Sequence, residues 1–255
     1  MKSLRITLAS DIRFLRSSGG LRIVRSSDVI IFPELFDGGY AALHNGMEPH
    51  RLKGPLLEDL RSLSRRTPAY LIAGSLFLKD RNIRTNSSLV FHSGRVVHRY
   101  DKIHLFKPTG DRSYFSPGRR TGTFEIRNGR LKVTAGIAIC YDLRFPELIR
   151  MMAVQNMSIL FVPARWPATR DDAWFTLLKA RAIENHAFVV GCNAPGKEGG
   201  YSYVFDPLGN LVYGGRLGGN HPTAVCVMDL LKLETSKKMH DSVKEARLLN
   251  PSGLS

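Results

Sequence analysis

Apolar residues along this chain fall into two patterns, short unbroken runs and helically spaced stripes, and the two alternate. Val29-Ile30-Ile31-Phe32 and Val133-Thr134-Ala135-Gly136-Ile137-Ala138-Ile139 are compact runs with the length and β-branched content of strands covered on both faces. Tyr70 to Ala73, Ile159 to Val162, Ala187 to Gly191 and Tyr203 to Phe205 predict further strands. Leu56, Leu57, Leu60 and Leu63 follow one helix face. Pro146 to Gln155 and Asp171 to Asn185 predict two more helices, the second opened by aspartates and carrying Trp174, Leu177, Leu178 and Ile183. Ser88 to Phe91 and Arg95 to His98 flank His92-Ser93-Gly94, a hairpin signal, and Asp206-Pro207-Leu208-Gly209-Asn210 turns into Leu211-Val212-Tyr213. The alternation predicts an α/β protein. With no short repeat or low-complexity linker, a single domain over residues 1–255 is expected, with a C-terminal tail from about residue 230.

Composition narrows the class without changing it. A chain of 255 residues that is 43% hydrophobic and 23% charged has ordinary globular balance. The longest apolar stretches, around Tyr70 to Leu78 and Val133 to Tyr141, fall short of the roughly 18–20 residues that span a bilayer. The start, Met1-Lys2-Ser3-Leu4-Arg5-Ile6, lacks a continuous signal-peptide core, so a cytoplasmic protein is expected. Three cysteines, without Cys-x-x-Cys or paired His spacing, predict neither a disulfide framework nor a metal site. The net charge of +15 raises the question of nucleic acid. Its densest groups, Arg61 with Arg65 and Arg66, Arg119-Arg120, and Lys232 with Lys237-Lys238, form no basic arm and no aromatic-interleaved motif. A basic surface that favours solubility or anionic substrates is the expectation, rather than specific nucleic-acid binding.

Candidate chemistry sits at predicted strand ends. Cys140 closes the run from Val133 and opens Tyr141-Asp142-Leu143-Arg144-Phe145-Pro146-Glu147, where a turn and helix should start. A nucleophile so placed is held rigidly while the N–H groups of the following turn stay free to meet negative charge. A buried structural thiol fits the same pattern. Glu34 ends the run from Val29, and Lys102 follows the second hairpin strand. A thiol of pKa about 8.5 needs a base or cation to become a thiolate at neutral pH, and these two residues supply both. His104 and His186 are alternative bases, and His104 and His44 are candidates for shaping the pocket. Glu147 and Glu184 read as structural carboxylates beside Arg144 or Arg181.

Three ordered motifs, Phe32-Pro33-Glu34, Tyr100-Asp101-Lys102-Ile103-His104-Leu105-Phe106 and Cys140-Tyr141-Asp142-Leu143-Arg144-Phe145-Pro146-Glu147, carry a resemblance to the nitrilase or carbon–nitrogen hydrolase superfamily. Flanking matches run from about Ile6 to Asp229 and include Asn86, Tyr114-Phe115-Ser116-Pro117-Gly118 and Val162-Pro163-Ala164-Arg165-Trp166-Pro167. The resemblance implies a four-layer α-β-β-α sandwich, a Glu34, Lys102 and Cys140 triad, an oxyanion contact from the Tyr141 N–H, and no cofactor. It further implies at least a homodimer paired through the helices Pro146 to Gln155 and Asp171 to Asn185. The segment around Pro163 to Pro167 looks most like ω-amidases and deaminated-glutathione amidases, which implies a small amide of a carboxylate as substrate. N-carbamoyl amino acid hydrolysis, a true nitrilase and a non-catalytic binding protein on this fold remain alternatives. Arg144, Arg165 and Tyr114 are the expected substrate-binding residues, with Arg170 an alternative to Arg165 for a carboxylate. Two departures stand out. Asp111 occupies the place of a second glutamate, shorter by one methylene, so either its loop moves inward or the site geometry differs. Ile12 to Arg25, interrupted by Ser17-Ser18-Gly19-Gly20, replaces a long first helix and is expected to leave part of one sheet thinly covered.

Overall fold

The computed structural model describes residues 3–15, 17–129, 131–238 and 240–246. In chain order the strands are β1 (Ser3–Ala9), β2 (Val29–Ile31), β3 (His50–Arg51), β4 (Tyr70–Ile72), β5 (Leu76–Asp80), β6 (Ile83–His92) and β7 (Arg95–Asp101). There follow β8 (Thr123–Asn128), β9 (Leu131–Ile137), β10 (Ile159–Ala164), β11 (Phe188–Asn193), β12 (Tyr201–Phe205), β13 (Leu211–Arg216) and β14 (Thr223–Asp229). One sheet runs β14-β1-β2-β4-β6-β5-β3, with β7 also paired to β6, and the other runs β13-β12-β11-β10-β9-β8. The helices are α1 (Ile12–Leu15), α2 (Ser18–Ser26), α3 (Gly39–His44), α4 (Pro55–Arg65), α5 (Asp111–Tyr114), α6 (Pro146–Val154), α7 (Asp171–Asn185) and α8 (Leu231–Lys237). Among the described residues no helix is long and apolar enough to cross a membrane.

Alternation along the central strands builds three core layers, and therefore four structural ones. Val29 and Ile31 of β2 meet Phe161 of β10 and Phe188 of β11 between the sheets. Ile30, pointing the other way, packs with Leu57, Leu60 and Leu63 of α4. Leu160 and Val162 face Ile149, Met152, Trp174 and Leu178 of α6 and α7. Both faces of each sheet's centre are covered, which is why these strands read as unbroken apolar runs. The result is the expected α-β-β-α sandwich.

The predicted hairpin forms in register, with His92 opposite Arg95 and the left-handed φ values of Ser93 (49°) and Gly94 (78°) at its tip. The apolar stretch from Tyr70 divides into β4 and β5, because Gly74 crosses so close to Pro33 that a Cβ would lie 1.8 Å from its carbonyl oxygen. The polar run Thr85-Asn86-Ser87-Ser88 conceals the middle of β6, since all four side chains are buried. At the N-terminus, α1 and α2 are separate short helices, with the Ser17 side chain capping Gly20 N–H at 3.1 Å. Val225 and Val227 on the edge strand β14 are 43% and 53% exposed.

Candidate active site

Glu34 lies just beyond β2, Lys102 just beyond β7 and Cys140 just beyond β9, so two sheets contribute to one cluster. Two residues there hold left-handed backbone without being glycine: Leu35 at φ 43° and Cys140 at φ 47°. Such conformations cost roughly 1–3 kcal/mol each and persist only where surroundings enforce them. At Leu35 the enforcement is visible: its N–H donates to Ser75 Oγ at 3.0 Å and its carbonyl accepts from Arg165 Nη2 at 2.8 Å. The lysine loop is fixed by Gly118, whose N–H donates to the Lys102 carbonyl at 2.8 Å. A Cβ at Gly118 would lie 2.0 Å from the Asp101 carbonyl oxygen, so only glycine permits this approach.

The Glu34 carboxylate, with 0% exposure, has two unlike oxygens. Oε1 accepts from Lys102 Nζ at 2.8 Å, Asn86 Nδ2 at 2.9 Å and the Tyr40 hydroxyl at 3.2 Å. Oε2 accepts only the Arg165 backbone N–H, at 3.2 Å, among the described contacts. Cys140 lines the same cavity as Glu34, close enough for the Glu34 charge to act on its thiol. With Oε1 occupied by three donors, Oε2 is the oxygen left for a proton from the thiol.

Lys102 Nζ also donates to Asp111 Oδ2 at 2.8 Å. That carboxylate accepts the Phe106 N–H at 3.0 Å and the Thr109 hydroxyl at 2.7 Å. The shorter side chain thus reaches the lysine from the first turn of α5, which follows the Lys107–Thr109 turn. Burial by itself depresses the lysine, but the Glu34 and Asp111 carboxylates outweigh it and hold the ammonium well above its ordinary pKa. Burial likewise pushes Asp111 up, yet the Lys102 charge and the donors around it leave Asp111 below the usual carboxylate range. Cys140 moves the other way. Burial and the adjacent Glu34 charge raise its thiol well above the ordinary value, against the opposing pull of Lys102. At rest the site therefore holds a protonated thiol beside a charged lysine.

A cavity of about 420 Å³, in the size range of small-molecule sites, opens onto these groups. Tyr141, Arg144 and Arg165 line it together with Glu34, Lys102 and Cys140, whereas Tyr114 does not and instead lies against His44, ring centroids 5.8 Å apart. Arg165 has a different task from carboxylate capture. Its guanidinium donates to the Glu34 and Leu35 carbonyls at 2.8 Å and to Glu198 at 2.9 Å, clamping the glutamate loop. Arg144 and Arg170 are exposed and reach the cavity wall, Arg144 stacked 4.9 Å over the Trp166 ring. His104 pairs with Asp142 and His186 with Ser242, and neither lines the cavity. Glu184 pairs with Arg181 at 3.0 Å, as a structural carboxylate should.

Sequence reasoning overlooked four participants: Tyr40, Asn86 as a ligand of Glu34, Glu198 and Asp142. Tyr40 and Asn86 complete the donor set on Glu34 Oε1, and burial keeps the Tyr40 phenol protonated, with Glu34 reinforcing it. Glu198 accepts the Tyr40 and Ala41 N–H groups as well as Arg165. The one available signal was the polar stretch around Asn86, inside a hairpin strand that packs on both faces.

The chain that builds this site is similar in sequence and in fold to known proteins. The 2-oxoglutaramate amidase of Bacillus subtilis (strain 168) is 31% identical over 229 residues, 87% of this chain and 86% of that protein. The omega-amidase YafV of Yersinia enterocolitica is 36% identical over 197 residues, 75% of this chain and 73% of its own. A CN-hydrolase superfamily protein of Xanthomonas campestris, solved with an arsenic adduct in its active site, superposes with a TM-score of 0.77 at 27% identity, covering 100% of this chain and 97% of that one. The carbon-nitrogen hydrolase family model matches residues 21–229, and on this agreement of sequence and fold the chain belongs to the carbon-nitrogen hydrolase family.

Proposed function

We propose that the protein hydrolyses the terminal amide of a small carboxylic acid, the substrate class named for its amidase relatives, through a thioester on Cys140. The observation that carries this reading is a Glu34 carboxylate in the same cavity as the Cys140 thiol, one oxygen filled by three donors and the other taking a single backbone N–H among the described contacts. Glu34 takes the thiol proton as sulfur attacks the amide carbon. The Lys102 ammonium and the Tyr141 N–H hold the oxyanion at the cavity floor. Glu34 then passes its proton to the nitrogen, which leaves as ammonia, and the thioester remains. Water attacks next, Glu34 accepts its proton, and collapse releases the carboxylic acid while the proton returns to sulfur. Asp111 keeps the lysine charged and aimed. Arg144 and Arg170 receive the substrate carboxylate at the mouth, where guanidinium geometry favours bidentate pairing.

Exposed Met151 on α6 and Ile183 on α7, 48% and 44% accessible, support pairing of two copies through these helices. The deciding experiment incubates the protein with short ω-amides, N-carbamoyl amino acids and nitriles while following ammonia and the intact mass. Ammonia from ω-amides with a transient acyl mass on Cys140 is expected. Release only from carbamoyl compounds or nitriles would replace the substrate class, and no turnover with no adduct would leave a binding protein.

A further inference from the structure

A buried carboxylate that reaches neither the thiol nor the lysine joins the loops that carry them. Asp142, two residues past Cys140, is fully buried. Its Oδ2 accepts the Tyr100 hydroxyl at 2.7 Å and the Ile139 N–H at 3.0 Å. Its Oδ1 accepts the His104 N–H at 2.9 Å and meets His104 Nδ1 at 2.8 Å. Tyr100 precedes Lys102 by two residues, His104 follows it by two, and Ile139 immediately precedes Cys140. The lysine is thus gripped on both sides by a group belonging to the cysteine turn.

Four donors fill the acceptor positions of one carboxylate, so Nδ1 of His104 carries the proton it shares. Burial and the Asp142 charge keep the Tyr100 phenol protonated, hence a donor. The imidazole lies flat on Phe145, ring centroids 3.5 Å apart and 7° from parallel, and the Phe145 N–H donates to the Asp142 carbonyl at 3.0 Å. One five-residue turn, Cys140–Arg144, therefore fixes both the carboxylate and the ring that answers it.

We propose that Asp142 and His104 are a positioning couple that sets the Lys102 ammonium against the Cys140 sulfur, and thereby the rate of attack on substrate, while touching no substrate themselves. Neither side chain lines the cavity. A misplacement of about 1 Å is enough to lower a rate on the order of a hundredfold, so a bond connecting the two loops acts on kcat. The kinetic part rests on the amidase reading given above. The geometric part does not, because the thiolate formed when Cys140 is alkylated draws on the same lysine.

Two variants at one position separate positioning from packing. His104→Asn retains an N–H donor near the place of Nδ1, and His104→Leu retains bulk without the donor. Tyr100→Phe removes a second donor should either fold poorly. Ammonia release from a short ω-amide, alkylation of Cys140 by iodoacetamide and the melting temperature are measured on each. His104→Leu should lose about 10- to 100-fold in kcat with KM within about twofold. His104→Asn should recover most of it, and alkylation should slow in the same order. Equal kinetics and equal alkylation rates for Leu and Asn, or kcat losses that track melting temperature while alkylation is unchanged, would overturn the proposal. Should the wild type release no ammonia from any amide, the amidase reading fails, and the alkylation series still decides the couple.

Discussion

The floor and the mouth of the cavity are built on opposite principles. On the floor, Glu34, Lys102 and Asp111 are at most 1% exposed and tied by short hydrogen bonds to one another and to Asn86, Tyr40, Thr109 and backbone. At the mouth, Arg144 and Arg170 are exposed, and Arg144 is held by one cation–π contact. Buried charges survive only when paired and fully hydrogen-bonded, so the floor tolerates little change. Exposed guanidinium groups carry no such obligation. On the proposed reading, the chemistry of attack is fixed by the fold, and the choice of acid is left to side chains that can change at small cost.

The largest break in this contrast is Cys140→Ala. It should abolish ammonia release while leaving the melting temperature within a few degrees, because little volume is lost and no charge is stranded. Persisting turnover would refute the nucleophile assignment. Lys102→Ala comes next and affects both properties. Removing one partner of a buried charge cluster costs about 3–5 kcal/mol, so urea unfolding should show that loss alongside a rate lowered by orders of magnitude. Unchanged stability would mean that Glu34 and Asp111 do not depend on the lysine.

Asp111 sharpens the comparison through pH. Its carboxylate lies below the usual range in the folded protein, so its stabilising contribution is complete above the unfolded value of about 3.9 and is lost as pH falls through the depressed one. Wild type should therefore lose stability more steeply than Asp111→Asn on acidification below pH 4, and Asp111→Asn should be slower at neutral pH. Asp111→Glu should not rescue the rate, since an added methylene overpacks a position with 0% exposure. The mouth should respond more mildly. Arg144→Ala or Arg170→Ala should raise KM for an ω-amide acid roughly tenfold or more, with kcat and the hydrolysis of a neutral amide nearly unchanged. The smallest effect concerns association: sedimentation at micromolar concentration should show at least a dimer, and Met151→Glu should weaken it. A single 28.5 kDa species in the wild type would reject that pairing.

Much of this was legible in one dimension because strand ends and motif spacing are local. The run from Val133 announced the elbow at Cys140, and Asp171–Asn185 reads as a helix with those same bounds. β8 and β14 carried no comparable signal. β14 owes its existence to pairing with β1, more than two hundred residues earlier, and has one face open to solvent. Arg165 misled for a related reason. An arginine near a strand end suits a substrate carboxylate and a backbone clamp equally, and only the arrival of Glu34, Leu35 and Glu198 around it assigned the clamp.

By itself the sequence determined the alternation of elements, the family and the identity of the three residues at strand ends, because these depend on side-chain period and on chemistry carried by single positions. The tertiary structure decided which oxygen of Glu34 takes three donors and which takes one, how a shortened Asp111 still reaches Lys102, and that Asp142 binds the lysine loop to the cysteine turn. Those outcomes depend on distances of about 3 Å between residues up to 131 positions apart. No periodicity encodes such distances; they are set when two sheets close on one core and each buried polar atom must find its partner there.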